Sequence, residues 1–296
     1  MSVVSDRTAS VLMLLALWFA WGTNWVVTKL GLAYASAFQL GLGRTVLAIA
    51  TLALIMHATG RRFTPTPLRP TFWLGLTQTA GFVVFTNLAL VAGGAGKVSV
   101  LCYTMPFWTL LLARLFLHEK LAPLQWLGVA LALVGLLAIL EPWDLGGNWL
   151  SDALAISGGL VWAGSAIIAK KLRAQHQVDT LALTFWQMVW GTLVLALLLP
   201  LFPGRDIQWG WPLLGVLLFS GVLAGGLGWL VWMLLLSRLS AGMAGMSILA
   251  IPAVAVLMAW LLLAEVPSHA EALGMLLIAA ALILISLSAL RREWRR

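Results

Sequence analysis

Charge is what this 296-residue chain lacks most. Asp, Glu, Lys and Arg make up 9% of it, against roughly 25% in an ordinary soluble domain, while 62% of its residues are hydrophobic. A water-soluble protein of this size needs a polar surface, and too few polar residues are present to build one. The solvent for most of the chain is therefore lipid. Cysteine is nearly absent: the single Cys102 excludes an intramolecular disulfide and any Cys-x-x-Cys metal site, and its apolar setting makes it a small packing residue. Histidine is scarce and poorly placed for chemistry. His57, His118, His176 and His269 lie at the ends of apolar runs or between them, without metal-ligand spacing. No His-Glu-x-x-His, Gly-x-Ser-x-Gly or phosphate-binding glycine loop occurs, so an enzyme is not expected, and neither a cofactor nor a metal is implied. Acidic residues are missing from the middle of every apolar run, which argues against a proton relay through a buried carboxylate.

The formal charge of +8 has a topological reading. The basic residues form short clusters at the ends of apolar runs, with no folded soluble domain to present them to nucleic acid, so no nucleic-acid partner is expected. A bilayer core about 30 Å thick takes about 20 apolar residues per helix. On that measure spans are predicted near 10–30, 36–57, 71–91, 95–117, 124–140, 151–170, 180–199, 211–235, 243–263 and 270–290. Arg61-Arg62 with Pro65, Pro67 and Pro70 separates the second from the third, and Pro200 to Arg205 the seventh from the eighth. An even count puts both termini on one side. That side would then hold thirteen basic residues, among them Arg61, Arg62, Lys170, Lys171, Arg173 and the C-terminal arginines, against Lys29, Lys97 and Arg205 on the other. The asymmetry predicts cytoplasmic termini in a multi-pass protein of a bacterial inner membrane. Trp73, Trp126, Trp143, Trp149, Trp209 and Trp211 fall at span ends, as an interfacial aromatic belt requires. The first span, with one early Arg7 and no small-residue cleavage site, reads as a retained helix.

The chain also repeats itself. Residues 95–140 lie on residues 241–286 without a gap, at an offset of 146: Ala95-Gly96 on Ala241-Gly242, Pro106 on Pro252, Glu119 on Glu265, and Leu127-Gly128 on Leu273-Gly274. The expected fold is thus all-α, with ten transmembrane helices in two five-helix units, residues 1–145 and 146–296. Five spans is an odd number, so the second unit is upside down relative to the first, and the two inverted repeats enclose a central cavity. Such a pair has two nearly equivalent states, one open to each side, which is the basis of alternating access.

Two groups of residues carry a family likeness. Trp21-Gly22-Thr23-Asn24 in the first span, and the pattern Pro106, Glu119, Leu127-Gly128 with its echo Pro252, Glu265, Leu273-Gly274, resemble the EamA-type branch of the drug/metabolite transporter superfamily over about residues 10–290. The length and abundance of tryptophan look most like its YddG-type amino acid exporters. The resemblance implies a ten-helix fold with a central cavity and efflux of amino acids or related metabolites. The chain departs from internal symmetry at Trp162-Ala163, where the first half has Trp-Gly, and at Lys97, which falls on Met243.

In a carrier the substrate should lie near mid-membrane, where uncharged polar groups are costly unless they face a cavity or a partner. On helical spacing, Trp21, Asn24 and Thr28 share a face in the first span, and Gln78 shares one with Phe82 in the third. Tyr103 in the fourth, Trp162 and Ser165 in the sixth, Gln187 in the seventh and Ser247 in the ninth complete the candidate substrate site. Polar residues of this kind also serve as glue between helices. Pro106 and Pro252, at equivalent mid-helix places, are candidate hinges, with a fixed kink as the plainer alternative. Gly221, Gly225 and Gly228 form a close-packing stripe. Arg44, inside the second span, could attract a carboxylate, with snorkelling or bonding to neighbouring carbonyls as the preferred reading. Glu119 and Glu265 are read as caps of the helices that follow them. An aromatic cavity with few charges suits neutral, aromatic or apolar amino acids, the expected small-molecule partner besides lipid, and a monomer is the expected unit. A drug or other small-metabolite carrier, or a channel-like facilitator of the same fold, is the alternative.

Overall fold

The computed structural model of the protein describes residues 3–118, 123–141, 148–202, 204–238 and 250–293, and among them every long regular element is a helix. In chain order these are α1 (Val3–Gly31), α2 (Ala37–Ala58), α3 (Leu68–Ala92), α4 (Ala95–Phe116), α5 (Pro123–Leu140), α6 (Trp149–Gln175), α7 (Thr180–Leu198), α8 (211–238), α9 (Ala250–Leu263) and α10 (His269–Glu293). Among the described residues, α2 to α8 are the seven helices long and apolar enough to cross a bilayer, and Ile251–Leu263 and His269–Ala281 are shorter apolar stretches. The chain is a multi-pass membrane protein.

The helix starts follow local chemistry. Ser36 and Gln39 form a reciprocal capping box that opens α2. The Asn148 and Asp179 side chains accept from the first-turn amides of Ser151 and Ala182 in α6 and α7. Ser268 and Glu271 repeat the box on α10. Gly60, at φ 65, takes the left-handed conformation that ends α2, after which the proline run keeps the chain extended. His118 after α4 and Ala264 after α9 also have positive φ, 53 and 54. Each bears a Cβ, at a cost of about 1–2 kcal/mol.

Three spans are not plain α-helix. In α3 the turn Leu76–Gly81, and in α8 the stretch Leu218–Leu227, are π-helical, widening the ladder by one residue per turn. In α4 the helix breaks at Tyr103-Thr104 and restarts at Met105. This corrects the sequence reading of Pro106 as a mid-helix residue. It sits in the first turn of the second segment, where the missing N–H has no partner to lose. Pro252 is buried near the start of described α9.

Packing is tightest where glycine faces a neighbour. α5 and α10 cross at Gly135 and Gly274, where a Cβ on Gly135 would lie 2.8 Å from the Gly274 carbonyl. The stripe on α8 closes on α2: a Cβ on Gly221 would lie 2.7 Å from Leu47 Cβ, and one on Gly225 3.0 Å from Ala48 Cβ. α3 closes on α7 through Gly75 and Gly191. Other extensive pairings are α1 with α8 and α9, α3 and α4 with α6, α4 with α9, and α2 with α7. Outward, Leu133, Leu137, Leu197 and Leu276 are exposed, which is a lipid-facing surface and not a packing failure. Trp73, Trp126, Trp149, Trp209 and Trp211 are exposed at helix ends, and Trp143 lies outside the described residues.

Candidate functional site

A small cavity of about 40 Å³ lies inside the bundle, well under the range of about 300–1,000 Å³ usual for small-molecule sites, so a ligand of amino-acid size needs its wall side chains to move apart. Its aromatic wall is built from five helices. Trp21 and Trp25 come from α1, Phe82 from α3, Tyr103 from the break in α4, Trp162 from α6 and Trp229 from α8. Trp162 is the hub, buried to 2%. Its ring centroid is 5.4 Å from Phe82 and from Tyr103, and 6.0 Å from Trp21 and Trp229, all in edge-on geometry. Edge-to-face pairs of this kind lock the rings into one packed aromatic wall. Trp21 is fixed by an indole N–H donated to the Ala224 carbonyl at 2.9 Å, in the π-helical stretch of α8, and a Cβ on Gly228 would overlap its ring.

The polar part of the cavity lies on Asn24 and Thr28 of α1, Arg44 of α2, and Thr86 and Asn87 of α3. Arg44 is 8% exposed. Among the described residues its one hydrogen-bond partner is the Thr28 hydroxyl, at 3.4 Å, and no carboxylate pairs with it. This corrects the expectation that neighbouring carbonyls or the membrane surface would take up Arg44. The helix rotation points it inward.

Of the sequence-derived candidates, Trp21, Asn24, Phe82, Tyr103 and Trp162 line the cavity. Gln78, Ser165 and Gln187 do not. They form a separate buried polar cluster behind the wall: Thr79 donates to Gln187 Oε1 at 2.8 Å, and Ser165 contacts Gln78 Oε1 at 3.3 Å while donating to the Trp162 carbonyl at 2.6 Å. The Gln187 face of α7 meets α3 because Gly75 and Gly191 let the two backbones approach. Ser247 and Glu119 lie outside the described residues. Sequence reasoning passed over Trp25, Asn87 and Trp229. Asn87 carries the same signal as Asn24, a lone amide in an apolar run. Trp25 and Trp229 carry no signal that separates them from lipid-facing tryptophans.

A second set of charges gathers at one end of the bundle. Lys29 pairs with Glu265 at 3.0 Å and donates to the Gly93 carbonyl at 2.6 Å. Lys97 pairs with Asp152 and Glu271, both at 3.2 Å. The Arg205 guanidinium donates to the Leu32 carbonyl. Glu265 corrects a second expectation. It accepts from Gly96 N at 3.2 Å and so caps α4, not the helix that follows it, whose start is already closed by Ser268 and Glu271. At the other end, Arg61 pairs with Asp179 at 2.8 Å. Among the described residues no group of three His, Cys, Asp or Glu side chains could hold a metal ion.

A helical membrane bundle enclosing an aromatic, polar-tipped cavity is a small-molecule transporter by class. The sequence profile of the EamA-like transporter family matches residues 8–141 and again residues 149–287, and the chain belongs to that family. It is 28% identical over 285 residues to a riboflavin transporter of Rhizobium johnstonii, covering 92% of this chain and 87% of the relative. It is 25% identical to the uncharacterized transporter YoaV of Bacillus subtilis, over 92% of this chain and 95% of that protein. A probable amino-acid metabolite efflux pump of Salmonella typhimurium is 29% identical over 178 residues, 59% of this chain and 56% of the pump. One solved crystal structure superposes with a TM-score of 0.69 at 20% identity, covering 97% of this chain and 99% of the other, a likeness of fold.

Proposed function

We propose that the protein exports neutral amino acids, aromatic and apolar ones foremost, and related metabolites across a bacterial inner membrane, in the manner of the YddG-type exporters. The observation that carries this reading is the cavity: an edge-packed aromatic wall around Trp162 with a small polar group of Arg44, Asn24 and Asn87 at one part of its lining. That is the pattern of an amphipathic zwitterion with an apolar side chain.

The transport cycle we assign is alternating access by two inverted five-helix repeats, residues 1–145 and 146–296, in a ten-span chain with both termini in the cytoplasm. Several observations support it. The family profile matches twice in succession. The offset of 146 carries the π-helical turn at residues 76–81 onto residues 222–227, inside the π-helical stretch of α8, and carries His118 onto Ala264, the two left-handed residues that follow α4 and α9. Pairings also exchange when α1–α5 are swapped for α6–α10: α2 with α8 becomes α7 with α3, α1 with α9 becomes α6 with α4, and α5 with α10 maps onto itself. Tyr103-Thr104, where α4 breaks, and Pro252 in α9 are the places where the repeats would flex. Counterflow of labelled amino acids in proteoliposomes tests the function: saturable exchange of tryptophan, phenylalanine or leucine is expected, and a protein inert to the whole neutral panel would overturn the reading.

A second reading, a flavin carrier, is favoured by the likeness to a riboflavin transporter over nearly the whole chain. An isoalloxazine ring would use the same aromatic wall. Riboflavin in the same counterflow assay separates the two, since it lacks both carboxylate and ammonium.

A further inference from the structure

The polar corner of the cavity has an arrangement that packing alone does not require. Arg44 is a guanidinium inside a membrane span, charged at any physiological pH, yet among the described residues it has no anionic partner and only a 3.4 Å contact to the Thr28 hydroxyl. A buried unpaired charge is strongly disfavoured in a protein interior, and more so in a bilayer, unless something else completes it. Two side-chain carbonyl oxygens in the same cavity are likewise unsatisfied. Asn24 Oδ1 and Asn87 Oδ1 are buried without a hydrogen-bond partner. Asn87 is fixed: its amide N–H donates to the Ala37 carbonyl at 2.9 Å, and its nitrogen lies 3.3 Å from where a Cβ on Gly41 would stand. Arg44 is the next residue on that face of α2, three positions beyond Gly41. Asn24 stands one turn before Thr28, the residue Arg44 touches. One cation without an anion and two acceptors without a donor therefore meet around a single cavity, beside an aromatic wall.

We infer that this corner is the zwitterion-recognition site of the carrier, with Arg44 binding a carboxylate and the side-chain carbonyls of Asn24 and Asn87 accepting from an ammonium group, while the aromatic wall takes the side chain. The inference rests on the amino-acid reading above and sharpens it to an α-amino carboxylate. A guanidinium offers a planar pair of N–H donors that matches a carboxylate, and neutral amide oxygens accept from an ammonium without adding charge to a low-dielectric site. The bound ligand is neutral overall, so no further ion has to enter the membrane with it. An aromatic amine without a carboxylate would bring a second positive charge next to Arg44 and leave the guanidinium uncompensated. An aromatic acid without an ammonium would satisfy Arg44 but leave the two amide oxygens empty.

The test uses the full chain in proteoliposomes with three indole ligands: L-tryptophan, tryptamine, and indole-3-propionate. For the wild type, tryptophan is expected to lead both analogues in kcat/KM by about 10- to 100-fold, the size of one hydrogen bond to a charged group. Arg44→Gln should lower tryptophan and indole-3-propionate by about that factor while leaving tryptamine unchanged or improved, and Arg44→Lys should fall between. Asn87→Leu, with Asn24→Leu as its counterpart, should cost tryptophan more than indole-3-propionate. An equal loss for all three ligands in Arg44→Gln would mean a structural role and overturn the inference, as would a wild type indifferent to the carboxylate. Should Arg44→Gln fail to fold, ligand-induced shifts in the melting temperature of the wild type answer the same question, and equal shifts by tryptophan and tryptamine overturn it. Arg44-dependent transport of indole-3-propionate with no amino acid carried would sink the amino-acid reading but keep the carboxylate site. Transport of riboflavin alone, with no carboxylate bound, would sink both.

Discussion

Replacing Lys97 by Met removes a cation that serves two acids, and the structure allows the cost to be worked out. Lys97 Nζ lies 3.2 Å from a carboxylate oxygen of Asp152 and 3.2 Å from one of Glu271, with 20% of the lysine side chain exposed, 7% of Asp152 and 18% of Glu271. At an effective dielectric of 20 each contact has a Coulomb energy of about 5 kcal/mol before desolvation. Most of that is offset, but breaking a buried pair by deleting one partner costs about 3–5 kcal/mol, because the other charge is left uncompensated. Here the charges are buried but not sealed, so about 2–4 kcal/mol is the expected loss, a fall in melting temperature of about 5 °C or more. A control sharpens the claim. The Arg61–Asp179 pair is shorter, at 2.8 Å, but its side chains are 60% and 34% exposed. Arg61→Met should therefore cost less than about 1 kcal/mol. The assay is thermal unfolding of purified protein in one detergent at fixed salt, with Lys97→Met, Arg61→Met and Lys97→Met/Asp152→Asn side by side. The double variant should recover about half the loss, since the more buried of the two stranded carboxylates is gone while Glu271 remains. If Lys97→Met melts with the wild type, or if Arg61→Met falls as far, then burial does not set the strength of these pairs and the reasoning fails.

Trp162→Ala removes the hub of the aromatic wall and should lower kcat/KM at least tenfold in proteoliposome uptake, with Tyr103→Ala smaller but in the same direction; unchanged selectivity in both would place the ligand elsewhere. Gln187→Met should leave KM within twofold and the melting temperature within a few degrees, because Gln187 sits behind the wall with an unpaired Nε2; a large rise in KM would return it to the site. Gly191→Val would drive a side chain into Thr79 and the Gly75 backbone. It should destabilise by about 2 kcal/mol or more, read by unfolding or by lost expression of a fluorescent fusion. Glu265→Gln loses the ion pair with Lys29 and weakens the cap on α4. A loss of about 1–2 kcal/mol is expected, and stability equal to wild type would show that the contact contributes nothing.

The stretches that become helices were legible from the chain alone. Lipid cannot hydrogen-bond a backbone, so an apolar run of the right length has no choice but to close its own ladder, and composition decides that without knowledge of neighbours. Local signals such as Ser36 with Gln39, the proline run after Gly60, and the glycine stripe on α8 are equally short in range and were equally readable. What a helix face meets is a different matter. Spacing places Gln187 and Gly191 on one face just as it places Asn24 and Thr28 on one face, yet the first pair packs against α3 and the second opens on the cavity. In water the hydrophobic pattern would separate inside from outside. In a membrane both the lipid and the neighbouring helix are apolar, so the pattern carries no such instruction. The inward turn of Arg44, the choice of Trp229 over Trp211 for the wall, the break at Tyr103-Thr104 and the reach of Glu265 to another helix's first turn depend on how the helices are rotated and crossed. Only the packed bundle fixes those.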